Sequence, residues 1–307
     1  MRSAESQSLV APGVTVSVWL YILIHFLHGS LASKQPAMTA AALAKSLEGD
    51  SSSVSRVLLV AAIARAQAAA TAGNLLAAVP VALALDAAWV ALAGRPLLDP
   101  AAAHHALEAL HPLHTATLPY AALTGVLLWL SSLAAGWAAN WSDFRALPDA
   151  IRHSLRCRRV LGAWGARTLS TLVRGHVSGV TGYLALGLLL GFLPNVMAFM
   201  GVPAEVRHVT LSGTSLALGA AGQVRAGSLD IAVTAWAALG VGLIGLLNFG
   251  VSFALAFAVA LRARGLARRD RRLLWRQLAL MFVRRPLWFV FPPATVPVAP
   301  ARAPVVS

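Results

Sequence analysis

Long runs of apolar residues alternate along the chain with shorter segments that carry most of the charges. Five runs have at least the roughly 20 residues that a helix needs to cross the hydrocarbon core of a bilayer. They cover approximately residues 11–31, 72–93, 118–140, 180–201 and 231–261. The pattern predicts an all-α, polytopic transmembrane helical bundle within residues 1–291, and residues 292–307, rich in Pro, Val and Ala, form a predicted disordered tail.

Three segments leave alternatives open. The first run has a rival interpretation as a signal peptide, because residues 30–32 have a small-x-small pattern. The last run is either one long tilted helix or a helix bent near Gly240, Gly242 and Gly245. Residues 209–222 are apolar but too few for a crossing, which predicts a re-entrant or interfacial segment.

The positive charges set a predicted orientation. The chain is 58% hydrophobic and only 12% charged, yet its formal net charge is +14. Residues 32–66, 142–178 and 262–307 hold four, seven and ten Lys and Arg, against one and two in residues 94–115 and 202–230. The positive-inside rule therefore predicts a bacterial inner-membrane protein that starts outside and ends in the cytoplasm. A chain that starts outside without a long leader suggests the C-terminal part of a longer protein.

Cysteine usage adds one constraint. Cys157 is the single cysteine and follows several arginines, so an intramolecular disulfide is impossible and a reducing compartment is expected.

Several strings in the chain carry a family resemblance. They are ASKQPAMTA from residue 32, LHPLH from 110, AALTGVLLWLSSLAAGW from 121, VRHVTLS from 206 and GLLNFGVSFALA from 245. In this order they resemble the bacterial family of site-specific recombinase transmembrane proteins, over most of residues 14–290. The resemblance implies relatives of about twice this length, of which this chain is similar to the C-terminal half, and it implies DNA strand exchange as an activity.

The residues themselves do not supply a strand-exchange site. A tyrosine recombinase needs its nucleophile beside basic groups in a water-accessible site, but Tyr21, Tyr120 and Tyr183 lie in or beside apolar runs. The 11 acidic residues are scattered, and no segment has the alternating strands and helices of a soluble catalytic domain. We therefore predict no catalytic residues and no cofactor. The leading interpretation is a non-catalytic structural, assembly or transport-related membrane protein, with membrane-associated recombination and proton-coupled transport as alternatives.

Polar residues inside the spans are candidate sites, because ionisable groups in a membrane usually face a partner or a cavity. Asp86 is either such a functional group or a hydrated structural residue near the outer interface. His25 and His28 share a helix face and form either a proton relay or ligand site, or bonds to a neighbouring helix. Asn248 lies among small residues, which predicts an interhelical hydrogen bond in a tight bundle or homo-oligomer.

The loop at residues 94–115 carries a pattern of possible metal ligands. His104, Glu108 and His111 have i, i+4, i+7 spacing and would share one helical face, a geometry compatible with a divalent metal. The alternative is a polar interfacial loop.

Two arginine-rich segments predict basic amphipathic helices on the cytoplasmic leaflet, where anionic lipids are the expected partners. Contact with DNA phosphates is the alternative. The candidate residues are Arg156, Arg158, Arg159, Arg268, Arg269, Arg271 and Arg272.

Overall fold

The computed structural model describes residues 53–202, 205–263, 268–289 and 291, and all regular structure in these ranges is helical. The predicted first span at 11–31, with His25 and His28, and the predicted disordered tail at 292–307 lie outside the described residues. The helices are α1 (Ser53–Ala93), α2 (Pro100–Glu108), α3 (Thr117–Phe144), α4 (Leu147–His153), α5 (Leu155–Phe199), α6 (Val209–Arg225), α7 (Ile231–Ala263) and α8 (Arg268–Arg284), followed by a 3-10 turn (Pro286–Phe289).

Four stretches of helix in the described part of the chain are long and apolar enough to cross a membrane. They are Ala61–Ala93, Thr117–Phe144, Leu155–Phe199 and Ile231–Ala263. Three of them contain a predicted span in full, and Leu155–Phe199 covers the predicted span 180–201 except for its last two residues. The last of them is a single helix of 33 residues, about 50 Å long at 1.5 Å per residue.

Two helices are longer than the apolar runs that predict them. Helix α1 begins at Ser53 and α5 begins at Leu155, so both extend into segments that the charge pattern assigns to loops. A helix that is already formed adds each further residue at little cost, so it need not end where its apolar run ends. The start of α5 is capped by the Ser154 hydroxyl, which accepts from the Cys157 N–H at 3.3 Å. Gly162 interrupts α5 with a φ of 71°, a conformation that favours glycine.

Helix α3 lies at the centre of the bundle and packs along both α5 and α7. Close approach depends on glycines in the contact surfaces. A Cβ on Gly125 of α3 would lie 2.8 Å from the Cβ of Val251 on α7. A Cβ on Gly240 of α7 would collide with the carbonyl oxygen of Leu110, which is fully buried. These positions therefore let α7 pack directly against backbone.

Helix α6 covers the segment for which the sequence predicts a re-entrant or interfacial piece. It has 17 residues, about 26 Å at 1.5 Å per residue, and is not among the four apolar candidates. It packs against α1, α2 and α7. Its first turn contacts Asn248, near the middle of α7, and its last turn contacts Asp86, near the end of α1. Because α7 begins at Ile231, soon after α6 ends, α6 runs from the bundle interior to the end at which α7 starts.

The segment after α7 folds back onto the bundle. The rings of Phe257 on α7 and Trp275 on α8 meet edge to face, with 5.4 Å between centroids. Arg65 of α1 donates from Nη1 to the Trp288 carbonyl at 2.6 Å, and the Arg285 guanidinium lies 4.3 Å from the Trp288 ring centroid. The arginine-rich C-terminal helix therefore packs beside the beginning of α1 and the end of α7.

Candidate functional site

The first turn of α6 lies at a buried polar junction. The first N–H groups of a helix have no carbonyl partner within the helix, so a helix that begins in an apolar interior needs other acceptors. The Val209 N–H donates to Asn248 Oδ1 at 3.0 Å, and the Thr210 N–H donates to His208 Nδ1 at 3.3 Å. His208 and Asn248 are 4% and 3% exposed. Two buried side chains thus supply acceptors for the first two of these N–H groups.

Asn248 links three parts of the fold. Besides accepting from Val209, its Nδ2 donates to the Ala121 carbonyl of α3 at 2.9 Å and to the Arg207 carbonyl at 3.0 Å. The first of these is an interhelical bond of the kind that its sequence position predicts. An amide side chain has two N–H donors and one oxygen acceptor, and all three groups are engaged. Asn248 therefore holds α7, α3 and the start of α6 together through main-chain atoms.

Hydrogen bonds to Thr124 of α3 hold in place the segment that leads into α6. Its hydroxyl accepts from the Arg207 N–H at 3.0 Å and donates to the Tyr120 carbonyl of its own helix at 2.8 Å. The Arg207 guanidinium forms an ion pair with Glu205, whose side chain is 60% exposed. The main chain around Arg207 is consequently held on both sides by buried side chains.

A cavity of about 20 Å³ adjoins the junction, which is room for roughly one water molecule. Its polar lining comes from α1, α6, α7 and the residue before α6. These residues are Gln67, Thr71, Asn74, His208, Thr210, Asn248 and Ser252. Burial lowers the pKa of His208 to about 4, so the imidazole is neutral near pH 7. With Nδ1 accepting from Thr210, the proton of the neutral ring is on Nε2.

Asp86 belongs to a separate ion pair, in which its own side chain is buried and that of Arg225 is 40% exposed. Its side chain is 1% exposed, with Oδ2 2.5 Å from Nη2 of Arg225 and Oδ1 accepting from the Leu97 N–H at 2.9 Å. This carboxylate is therefore shielded from solvent and paired, and the choice between a functional and a structural role for Asp86 stays a prediction. Arg225 lies in the last turn of α6, where a cation also interacts favourably with the helix dipole. The pair ties the end of α1 to the end of α6.

The three predicted metal ligands do not share a helical face. Helix α2 ends at Glu108, so His104 and Glu108 pair across one turn at 3.3 Å while His111 lies beyond the helix. His111 instead stacks on His114 with 3.9 Å between ring centroids, and burial and then the His114 charge lower the pKa of His111. Among the described residues, no group of three or more His, Cys, Asp or Glu could hold a metal ion.

The predicted basic residues lie on helices. Arg156, Arg158 and Arg159 are exposed on the first two turns of α5, before Gly162. The other predicted candidates, Arg268, Arg269, Arg271 and Arg272, belong to α8, and Arg272 is exposed.

Sequence reasoning missed several residues that complete these sites. His208 stands directly before an apolar helical run, a position at which a polar cap is expected, so that signal was present in the chain. Arg225 and Thr124 have no comparable signal. Their partners lie far away along the chain, and only the packing of helices brings them together.

The bundle has the features of a helical protein built for an apolar environment, with four membrane-length helices and polar side chains that bind main-chain groups in its interior. The chain belongs to the site-specific recombinase family, whose family model matches residues 11–292. No curated protein and no solved structure matches the chain.

Tyr183, one of the two described tyrosines, is 2% exposed and packs with Leu127, Leu128, Leu186 and Leu190.

Proposed function

We propose that this chain is a multi-pass protein of a bacterial inner membrane with a non-catalytic, structural or assembly role. The observation that carries the proposal is the junction at Asn248, the buried amide near the middle of α7. All three of its hydrogen bonds go to main-chain atoms of the segments that it joins. A polar group used in this way stabilises one arrangement of helices and is not free to act on a substrate.

The surface of the bundle supports insertion in a membrane. Leu76, Leu85 and Leu92 on α1 are 77%, 61% and 84% exposed, which is costly in water and favourable in lipid. Trp137 and Trp141 are exposed near the end of α3 and stack with 6.2 Å between centroids, and Trp164 is 80% exposed on α5. Exposed tryptophans near helix ends are typical of the membrane–water interface.

The arginines support an orientation in which the α3–α5 connection faces the cytoplasm. Seven Lys and Arg fall within residues 142–178, and only one falls within residues 94–115, which connect α1 to α3. The positive-inside rule then puts α4, the beginning of α5 and α8 on the cytoplasmic side.

Cysteine labelling in intact spheroplasts tests this orientation. Cys157 is a free thiol at the start of α5 and serves as the cytoplasmic probe. Ala101→Cys in a Cys157→Ser background puts a single thiol at an exposed position of α2 on the opposite side. A membrane-impermeant maleimide should label the α2 thiol in intact spheroplasts and Cys157 only after lysis. The reverse pattern, or equal labelling of both, would contradict the proposed topology.

The family name suggests DNA strand exchange as the alternative function. Tyr183 is buried among leucines, where duplex DNA cannot reach it, and this argues against a tyrosine nucleophile at that position. Purified protein incubated with supercoiled plasmid should give no covalent protein–DNA adduct. An adduct that disappears when one tyrosine is replaced by phenylalanine would refute the non-catalytic proposal.

Proton-coupled transport through Asp86 is the other alternative, and the pairing of Asp86 with Arg225 favours a structural role. In proteoliposomes, Asp86→Asn should leave any solute flux and its pH dependence unchanged. A flux that loses its pH dependence in this variant would restore the transport hypothesis.

A further inference from the structure

Three arginines line a groove between α4 and α5, away from the sites described above. It has a volume of about 290 Å³ and is lined by Arg152, Arg167, Ser170, Thr171 and Arg174. Arg167, Thr171 and Arg174 have i, i+4, i+7 spacing on α5, which brings them to one face of that helix. Arg152 comes from the last turn of α4. The groove therefore joins cationic side chains from two helices.

The walls of the groove are held in register by a buried hydrogen bond. Ser170, which is 5% exposed, donates from its hydroxyl to the Pro148 carbonyl in the first turn of α4, with 2.7 Å between the oxygens. The Thr171 hydroxyl donates to the Arg167 carbonyl at 3.1 Å, so it stays at the groove wall. The spacing between the two helices is thus fixed by the fold and does not depend on a ligand.

The charges in the groove are unbalanced. Asp149 accepts from Arg174 Nη2 at 2.9 Å, and both side chains are more than half exposed. Arg152 and Arg167 form no ion pair with any other described residue. Three guanidinium groups against one carboxylate leave a net charge of two positive units. Guanidinium groups bind phosphate oxygens through paired N–H donors, which suits this groove to a phosphate anion.

The position of the groove along α5 favours a lipid phosphate over a soluble one. Arg174 is the last Lys, Arg, Asp or Glu before residues 175–204, which contain none. Further along α5, on the helix face that carries Arg174, Leu188 and Phe192 are 39% and 49% exposed. A phosphate at this level would have cationic groups around it and apolar surface beside it, as a phospholipid requires.

We propose that the groove lined by Arg152, Arg167 and Arg174 is a binding site for the phosphate headgroup of an anionic phospholipid. The proposal rests on the proposed function, because it needs this face of the bundle to lie at the headgroup level. Ser170 and Thr171 line the groove between the arginines, and the exposed Leu188 and Phe192 lie against the acyl chains.

Native mass spectrometry of the detergent-solubilised full chain tests the site. The groove variant Arg152→Gln/Arg167→Gln/Arg174→Gln is compared with the control variant Arg95→Gln/Arg145→Gln/Arg262→Gln, which removes the same charge from exposed positions outside the groove. We expect one retained phosphatidylglycerol per chain in the unaltered protein and in the control. The groove variant should bind it at least ten times more weakly. Equal loss in both variants would show non-specific charge attraction and overturn the proposal.

Other probes distinguish the sources of phosphate. Phosphatidylcholine should bind more weakly than phosphatidylglycerol, and inorganic phosphate or glycerol phosphate at equal concentration should not displace the lipid. Displacement of the lipid by the soluble phosphates would overturn the lipid assignment. The same holds if the groove variant lost binding to duplex DNA but bound the lipid unchanged.

A milder variant guards against misfolding. Arg152→Gln/Arg167→Gln keeps the Arg174–Asp149 contact and should still weaken lipid binding several-fold, with unchanged helical circular dichroism. Because the measurement is made in detergent, it is independent of the labelling result. Failure of the proposed topology and failure of the lipid site can therefore be told apart.

Discussion

Replacing Asn248 with leucine should destabilise the bundle by removing the acceptor at the start of α6. The Val209 N–H would be left in an apolar interior without its 3.0 Å partner, a loss that typically costs about 1–3 kcal/mol. The Arg207 carbonyl would lose its donor as well. Ala121 lies within α3, so its carbonyl keeps its helical partner and contributes less. Better burial of leucine offsets part of the loss, which leaves a net cost of about 2 kcal/mol, or roughly thirtyfold in the unfolding equilibrium.

The assay is reversible unfolding in mixed detergent micelles, followed by tryptophan fluorescence and far-ultraviolet circular dichroism. Asn140→Leu is the matched control, because Asn140 is exposed on α3 and undergoes the same chemical change. We expect the control to shift the free energy of unfolding by less than about 0.5 kcal/mol. If Asn248→Leu were as stable as the control, the junction would not be holding α6 in place.

The other predictions use the same unfolding assay. Gly240→Ala should cost about 1–3 kcal/mol through steric collision, whereas Gly242→Ala, which has open space around its Cβ, should be neutral or slightly stabilising. Equal effects would contradict the close approach at Gly240. Arg225→Gln should cost about 2 kcal/mol by leaving Asp86 buried without its cation, and adding Asp86→Asn should recover part of that loss. Additive losses would argue against the pair. Because the pKa of His208 is lowered to about 4, its contribution to stability is complete above about pH 6.5 and is lost as the pH falls toward 4, by about 3 kcal/mol. His208→Asn, which keeps a capping oxygen, should flatten this dependence, and an unchanged pH profile would refute the assignment.

The positions of the long helices follow from the distribution of charge along the chain. Residues 118–140 and 231–261 are predicted as spans, and the corresponding helices are Thr117–Phe144 and Ile231–Ala263. These predictions are accurate because an uncharged run of this length has few alternatives to an apolar helix. Helix starts are less predictable. The beginning of α5 at Leu155 depends on the Ser154 cap and on packing against α4, neither of which changes the hydropathy of the segment.

The candidate sites show where prediction from the sequence ends. Asp86 and Asn248 stand out in the sequence because a polar residue in an apolar run is conspicuous and costly. His104, Glu108 and His111 illustrate the opposite case, since their spacing suggests one helical face and the helix ends before His111. Spacing predicts geometry only as far as the helix continues.

What the sequence by itself determined is therefore the class of fold, the places of four long helices and the polar residues that need a partner. The tertiary structure decided which partners they have. Asn248 binds main-chain atoms, which have no sequence signature, and Asp86 pairs with Arg225, which comes from a helix far along the chain. The local sequence shows that a polar residue will be buried and therefore needs a partner, because burying an unpaired polar group is costly. The partner itself is determined only when the helices pack.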